Sequence, residues 1–186
     1  PKRFNTSVAN EFCPVDALED TFSVDEAIAL LRKVPADKFF YLAVGMHKPH
    51  LPWQYAKKDS DLHPLAAIDL PRHRLPPVDA PPIALRFTDG AIHDSVYDPI
   101  SNVSMRRARR AYRSAVTGMD RKLRPLLDAL SSRGLENDTA IVFHSDHGWS
   151  LGEQGLWRKF TNFELATRVP LIVSVPWIEA QSARNA

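Results

Sequence analysis

The feature that most constrains this chain is a continuous apolar run, rich in aromatic residues, over residues 39–46. A run without polar alternation predicts a strand buried on both faces, as in a parallel sheet. Residues 139–143 and 170–175 are two further apolar runs of strand length, the last preceded by a predicted short helix at about 162–167. Helical periodicity lies between the first two runs, and this alternation predicts an α/β fold.

Two longer helices are predicted from apolar residues at three- and four-residue spacing. The first covers residues 24–33, and Ser23 begins a Ser-x-x-Glu capping box in front of it. The second covers about residues 105–130 and ends at Gly134, a natural C-cap. Pro125 lies inside that pattern and predicts a kink or a change of helix.

Composition excludes several classes of protein. The chain has 24 Lys and Arg against 22 Asp and Glu, so its formal charge of +2 gives no reason to expect a nucleic-acid or membrane-surface protein. No apolar run approaches the roughly 18–20 residues that a membrane helix needs. Cys13 is the single cysteine, which excludes an internal disulfide. The near-neutral charge also favours a solvated face for the arginine-rich side of the second helix over a site for an anionic partner.

The chain is expected to be part of one domain. Residues 52–103 form a long proline-rich excursion, which is expected to lie within that domain and to wall a site. The sequence begins at Pro1 without a recognisable leader pattern and stops soon after the last predicted strand. These features predict that residues 1–186 are a fragment, with any targeting information outside it.

Reactive side chains follow two of the predicted strands, where open α/β sheets bind ligands. Asp146 and His147 follow the second strand, and a carboxylate beside an imidazole suits a divalent cation. The alternative is that Asp146 caps a turn and His147 simply packs. His47 and His50 follow the first strand and flank Pro49, which fixes their relative orientation. Such histidines bind an anion or protonate a leaving group, or else they are ordinary histidines bonded to the backbone.

Lys159 lies between aromatic residues in a predicted loop. It is either a point charge that holds an anionic oxygen or an ordinary surface lysine. The sequence contains no phosphate-binding loop, dinucleotide fingerprint, Cys-x-x-Cys pair or Gly-x-Ser-x-Gly elbow. The candidate site therefore rests on histidine, aspartate and lysine alone.

Three motifs occur in an order that resembles the type I sulfatases. They are His47-Lys48-Pro49-His50, Ser145-Asp146-His147-Gly148-Trp149 and Trp157-Arg158-Lys159-Phe160. The resemblance covers roughly residues 11–176 and is weakest in the proline-rich middle. It implies an alkaline-phosphatase-like α/β sandwich with a mostly parallel central sheet. The implied activity is metal-dependent hydrolysis of sulfate esters on sugars, such as the uronate sulfates of glycosaminoglycans.

The resemblance also assigns roles to residues that match the family motifs. Asp146 and His147 would supply part of a Ca²⁺ shell. His47 would contact the sulfate or assist the leaving oxygen, and Lys159 would bind a sulfate oxygen. Two further residues would contact the substrate: His50 and Trp149.

The chain departs from the family pattern at the nucleophile. The family oxidises the cysteine of a Cys-x-Pro-Ser-Arg motif to formylglycine, but Cys13 is followed by Pro14-Val15-Asp16. The formylglycine is therefore expected upstream of Pro1, made by a formylglycine-generating enzyme acting on the full-length protein. The isolated chain is expected to be inactive. The alternatives are a phosphatase or phosphonate hydrolase of the same superfamily, and a degenerate, non-catalytic relative retained for binding.

Overall fold

The computed structural model of the chain describes residues 18–35, 37–85 and 101–178, so Cys13 lies outside the described residues. The helices are α1 (Glu19–Lys33), α2 (Lys57–Asp61), α3 (Pro82–Leu85), α4 (Asn102–Ser132) and α5 (Glu164–Thr167). The strands are β1 (Ile141–His144), β2 (Ser150–Leu151), β3 (Trp157–Arg158) and β4 (Leu171–Ser174). Within these residues no helix has both the length and the apolar character needed to cross a membrane.

Helix α4 is the central element, and its sequence signals are largely confirmed. The Ser101 hydroxyl caps the helix by accepting the amide hydrogen of Ser104 at 3.2 Å. Gly134 follows the last turn at a φ of 66°, the left-handed conformation that favours glycine at this position. The helix continues through Pro125 as one element, so no change of helix occurs there.

Helix α1 begins earlier than its predicted start. Leu18 is the N-cap residue and Ser23 lies inside the helix, so the predicted capping box is wrong. Glu19 and Asp20 instead place two carboxylates in the first turn, where the helix dipole favours negative charge. The C-terminal end of α1 packs on the end of α4 in a core that contains Leu31, Ala129 and Leu130.

The arginine-rich face of α4 is not the solvated face that the net charge favours. Arg106 and Arg110 donate to the carbonyl oxygens of Ile68 and Ser60, and Arg121 pairs with the buried Asp59. The prediction fails because residues 52–85 cross α4 and offer their carbonyl and carboxylate oxygens to these guanidinium groups. The arginines therefore fasten residues 52–85 to the helix, and residues 86–100 of the predicted excursion lie outside the described residues.

A second core lies where that excursion meets the first half of α4. Trp53 is fully buried there. Small residues on α4 allow this close approach, and a Cβ on Gly118 would stand only 3.0 Å from an Asp59 oxygen. The other buried members of this core are Tyr55, Met105, Ala108, Ala111, Ala115 and Trp157.

The apolar runs differ most from expectation. Residues 39–46 are extended but form no ladder within the described chain, and their side chains alternate between half-buried and exposed. Phe39 and Tyr41 are exposed, while Phe40 and Leu42 pack toward the α1–α4 core. Within the described residues the run is therefore covered on one face only, by the helices, whereas a strand buried on both faces was predicted.

The strand pairings of the described residues are both antiparallel, whereas a mostly parallel sheet was expected. Strand β1 pairs with β4, and Phe143 stands opposite Ile172. Every residue of β4 is exposed among the described residues, where the sequence predicts a buried last strand. A continuous apolar run favours a strand of a parallel sheet but does not fix its partner or its direction, and its burial depends on layers that the run does not encode.

Candidate functional site

A groove runs between the extended segment at residues 39–50 and the segment at residues 138–149 that contains β1. His47 and His50 line one side, and Asp146 and His147 line the other. The two clusters predicted from separate strand ends therefore meet at one groove. None of residues 52–85 lines the groove. This part of the excursion therefore does not form the wall of the site that was predicted, but packs on helix α4 behind it.

The His47 side of the groove is a tight turn. The amide of His50 donates to the His47 carbonyl at 3.0 Å, and the two imidazole centroids lie 4.8 Å apart. The Lys48 side chain is buried and donates to the Pro52 carbonyl at 3.0 Å, which closes the turn. The His50 Nδ1–H donates to the Leu51 carbonyl at 2.6 Å, so its Nε2 lone pair is left as an acceptor.

The opposite side brings the predicted metal pair and the predicted anion-binding lysine together. Lys159 Nζ lies 2.6 Å from His147 Nε2, and that nitrogen lies 3.3 Å from Asp146 Oδ2. The His147 Nδ1 is 2.8 Å from the Gly148 carbonyl. Because a carbonyl only accepts, Nδ1 carries the hydrogen, and the Nε2 lone pair accepts from the Lys159 ammonium group. The Asp146 carboxylate also only accepts, so it lies beside Nε2 without a hydrogen bond to that lone pair.

Asp146 stays ionised in this setting. Partial burial raises the pKa of its carboxyl group, but His147, the backbone amides and Lys159 together outweigh burial and hold the pKa below its ordinary value. One of those amides is that of His147, which donates to Oδ1 at 3.0 Å. The second oxygen, Oδ2, remains directed toward the imidazole.

Asp146 Oδ2 and His147 Nε2 fit part of a cation shell, and an ion bound there would take the place of the Lys159 ammonium group at Nε2. Two ligands about 2.4 Å from one ion and at right angles lie about 3.4 Å apart, close to the 3.3 Å observed. A backbone carbonyl at Nδ1 is also the usual partner that fixes a metal-binding histidine. The described residues contain no group of three or more His, Cys, Asp or Glu side chains placed for a metal, so the pair would be one part of a shell.

Trp149 links the two sides of the groove. Its indole lies 6.3 Å from the rings of both His50 and His147. It also stacks on Tyr112 of α4 at 6.4 Å and meets Trp53 edge-on at 6.2 Å. Both predicted substrate-contacting residues, His50 and Trp149, therefore lie at the groove.

The loop that carries Lys159 is anchored to α4 by a partly buried ion pair. Arg109 donates to Glu153 Oε1 at 2.7 Å and to the Leu151 carbonyl at 2.9 Å. The other oxygen of Glu153 accepts the Leu151 amide at 2.7 Å. Because the Arg109 side chain is only 13% exposed, this pair fixes the β2–β3 turn firmly on the helix.

Sequence reasoning did not find the residues that support the site. Tyr112 belongs to the apolar stripe of α4 and reads as core, although it also lines the groove. Arg109 reads as part of a solvated face, and Glu153 lies in a loop of no evident pattern. A carboxylate and a guanidinium far apart in sequence give no local signal that they will pair.

Comparisons with known proteins agree with this arrangement. The sequence model of the sulfatase family matches residues 3–186. Human iduronate 2-sulfatase is 42% identical over 185 residues, which cover 90% of this chain and 34% of that protein. The motifs resemble that sulfatase in particular, and this resemblance is confirmed. The chain thus spans about a third of the length of this curated relative.

Solved structures show the same fold. The phosphonate monoester hydrolase of Silicibacter pomeroyi superposes with a TM-score of 0.72 at 24% identity, covering 89% of this chain and 34% of that one. A second structure, solved in complex with its substrate D-glucosamine-2-N,6-O-disulfate, gives a TM-score of 0.69 at 20% identity over 84% of this chain and 43% of that one. The expected alkaline-phosphatase-like α/β fold is thereby confirmed, and the described residues form part of such a domain.

Proposed function

Because the chain belongs to the sulfatase family, we propose that the protein containing it hydrolyses sulfate esters of sugars, with uronate 2-sulfates as the favoured substrates. The observation that carries the proposal is the meeting of Lys159, His147 and Asp146 on one side of the groove with His47 and His50 on the other. The preference for a uronate rests on the identity to iduronate 2-sulfatase.

The charges suit a sulfate ester. The three non-bridging oxygens share one negative charge, and a cation with an ammonium group beside it would hold them. Lys159 supplies the ammonium group. Asp146 and His147 would hold Ca²⁺ as two members of its shell. When bound, the ion would add positive charge next to the sulfate oxygens.

His47 is assigned to the leaving oxygen. Cleavage of the S–O bond places negative charge on the sugar oxygen, and a nearby imidazolium relieves it by giving up a proton. The His47 side chain is 43% exposed, so a substrate in the groove can reach it. His50 and Trp149 both line the groove, and an imidazole and an indole suit the hydroxyls and the apolar face of a sugar.

The nucleophile is not assigned to any residue of this chain. The sequence has no Cys-x-Pro-Ser-Arg motif, and the chain spans about a third of its curated relative. We therefore propose that a formylglycine in another part of the protein, made by a formylglycine-generating enzyme, attacks sulfur. The 186 residues alone are then expected to show no turnover of sulfate esters, and measurable hydrolysis by the purified chain would overturn that expectation.

The proposed function is tested by kinetics of the full-length protein on a uronate 2-sulfate. His47→Ala and Lys159→Ala are each expected to lower kcat/KM by more than about tenfold, in line with lost proton transfer or lost charge stabilisation. His144→Ala is the matched control, since His144 is an exposed histidine that lines the same groove. Near-normal rates for the first two variants would contradict their assignment.

Two further measurements separate the alternatives. Faster hydrolysis of a phosphonate or phosphate ester than of the sulfate ester would favour the phosphonate-hydrolase branch of the fold. For Asp146→Asn, calorimetry of the full-length protein should show Ca²⁺ affinity reduced by at least about tenfold, because ligand charge sets calcium affinity. Unchanged titration would remove Asp146 from the shell, and Ca²⁺ binding without hydrolysis of any ester would indicate a non-catalytic relative.

A further inference from the structure

We propose that Asp20 is a positioning residue for His47: its buried carboxylate holds the backbone of the turn that presents the imidazole to the groove. The proposal rests on the role assigned to His47 under the proposed function. Asp20 lies in the first turn of α1, far from the groove motifs in sequence, and no sequence signal marks it as part of the site.

The Asp20 carboxylate spans two consecutive amides. Its Oδ1 accepts the amide hydrogen of His47 at 2.5 Å, and its Oδ2 accepts that of Lys48 at 3.1 Å. Asp20 is only 1% exposed, so water does not compete for these bonds. A two-oxygen acceptor on adjacent amides fixes both the place and the tilt of the peptide plane between them.

The carboxylate is itself held in place. It lies at the N-terminal end of α1, where unpaired amides and the helix dipole favour a negative charge. Lys122 of α4 is 7% exposed, and its attraction to Asp20 opposes the burial that lowers the lysine pKa. Two helices that pack on each other thus define the position of Asp20.

These bonds also set the position of the His47 imidazole. Its backbone is anchored by Asp20, and its Nδ1 lies 3.8 Å from the Glu19 carboxylate in the same helical turn. On the other side of the turn, the Lys48 ammonium group donates to the Pro52 carbonyl. If the turn shifts, the imidazole moves with it, and a displacement of about 1 Å is enough to cost on the order of a hundredfold in a positioned reaction.

The test uses Asp20→Asn in the full-length protein, because this near-isosteric change places an amide donor against an amide donor. Turnover is measured on a uronate 2-sulfate, whose alcohol leaving group needs a proton, and on 4-nitrophenyl sulfate, whose phenolate does not. We expect kcat on the uronate ester to fall by more than about tenfold and kcat on the aryl ester by less than about threefold, with KM little changed on both.

A double-mutant cycle with His47→Ala separates positioning from general damage. If Asp20 acts through His47, Asp20→Asn has almost no further effect on uronate-ester turnover once His47 is alanine. The matched control is Asp59→Asn, which changes another carboxylate that is 1% exposed but is bound by Arg121 away from the turn. We expect this control to lower stability and to leave the ratio of kcat on the uronate ester to kcat on the aryl ester unchanged.

The outcomes distinguish this inference from the proposed function. Equal losses on both esters, or losses that add fully to those of His47→Ala, overturn the role of Asp20 and leave that of His47 intact. Normal turnover by His47→Ala itself overturns both. Should Asp20→Asn fail to fold, Asp20→Glu keeps both acceptors one methylene further out and must show the same selective loss on the uronate ester; equal losses there also overturn the inference.

Discussion

The helical side of the molecule and its strand side differ in how completely they are packed. On the helical side, α1 and residues 52–85 cover α4, and residues such as Trp53 and Asp59 are almost completely buried. On the strand side, Phe39 and all of β4 remain exposed. The candidate site lies between them, with its supports on the helical side and its chemistry at the groove. The well-packed helical side therefore holds the candidate site residues in position at the groove.

Among the charged contacts, the largest stability effect is expected from the pair between Arg121 and the buried Asp59 on the helical side. Asp59→Ala removes a carboxylate that is 1% exposed and leaves Arg121, which is 36% exposed, without its partner, so it should lower the free energy of unfolding by about 1.5–3 kcal/mol. Asp61→Ala, in the same short helix, removes an exposed pair with Lys57 and should cost less than about 1 kcal/mol. Urea denaturation of the chain measures both, and equal losses would contradict the contrast.

The next effect tests the contact between the site loop and α5. A Cβ on Gly148 would collide with the Leu165 carbonyl oxygen and stand 2.8 Å from that of Arg168, both of them backbone atoms that move little. Gly148→Ala should therefore cost about 1–3 kcal/mol.

Gly45→Ala is the control for that change, because nothing lies within 4 Å of a Cβ there and the position is on the open side. Thermal unfolding of the two variants should separate them clearly. Stability of Gly148→Ala equal to that of the unaltered chain would show that the loop does not rest on α5.

A smaller, pH-dependent effect is expected at His63, which bonds Thr117 on the helical side. Burial, followed by Arg113 and Arg110, lowers the His63 pKa below 6.5. The unfolded chain therefore binds the proton more readily, so His63 should make stability fall as the pH drops below about 6.5. His63→Gln should flatten this part of the curve of unfolding free energy against pH, and an unchanged slope would contradict the assignment.

The smallest effect is expected on the open side. Phe39→Ser should change the unfolding free energy of the 186-residue chain by no more than about 0.5 kcal/mol, because the ring is exposed. Leu31→Ala, at 1% exposure, is the buried counterpart and should cost about 2–5 kcal/mol. A large loss from Phe39→Ser would show that this run is covered after all.

Local patterns predicted what depends on local physics. The periodicity and caps of α4 are short-range properties, so its bounds were predicted closely, and the strand-end motifs predicted the residues that meet at the groove. The burial of residues 39–46 was not predictable, because it depends on which layers cover the run. Neither was Asp20, since its bonds to His47 and Lys48 join segments far apart in the chain.

The central claim is that His47, His147 and Lys159 face one anion, and titration of inorganic sulfate into full-length protein with ¹⁵N-labelled histidine tests it directly. The imidazole signals of His47 and His147 should shift together with a single Kd, and Lys159→Met should weaken that Kd by at least about tenfold. Signals that respond with two different affinities, or a Kd that Lys159→Met leaves unchanged, would contradict the claim.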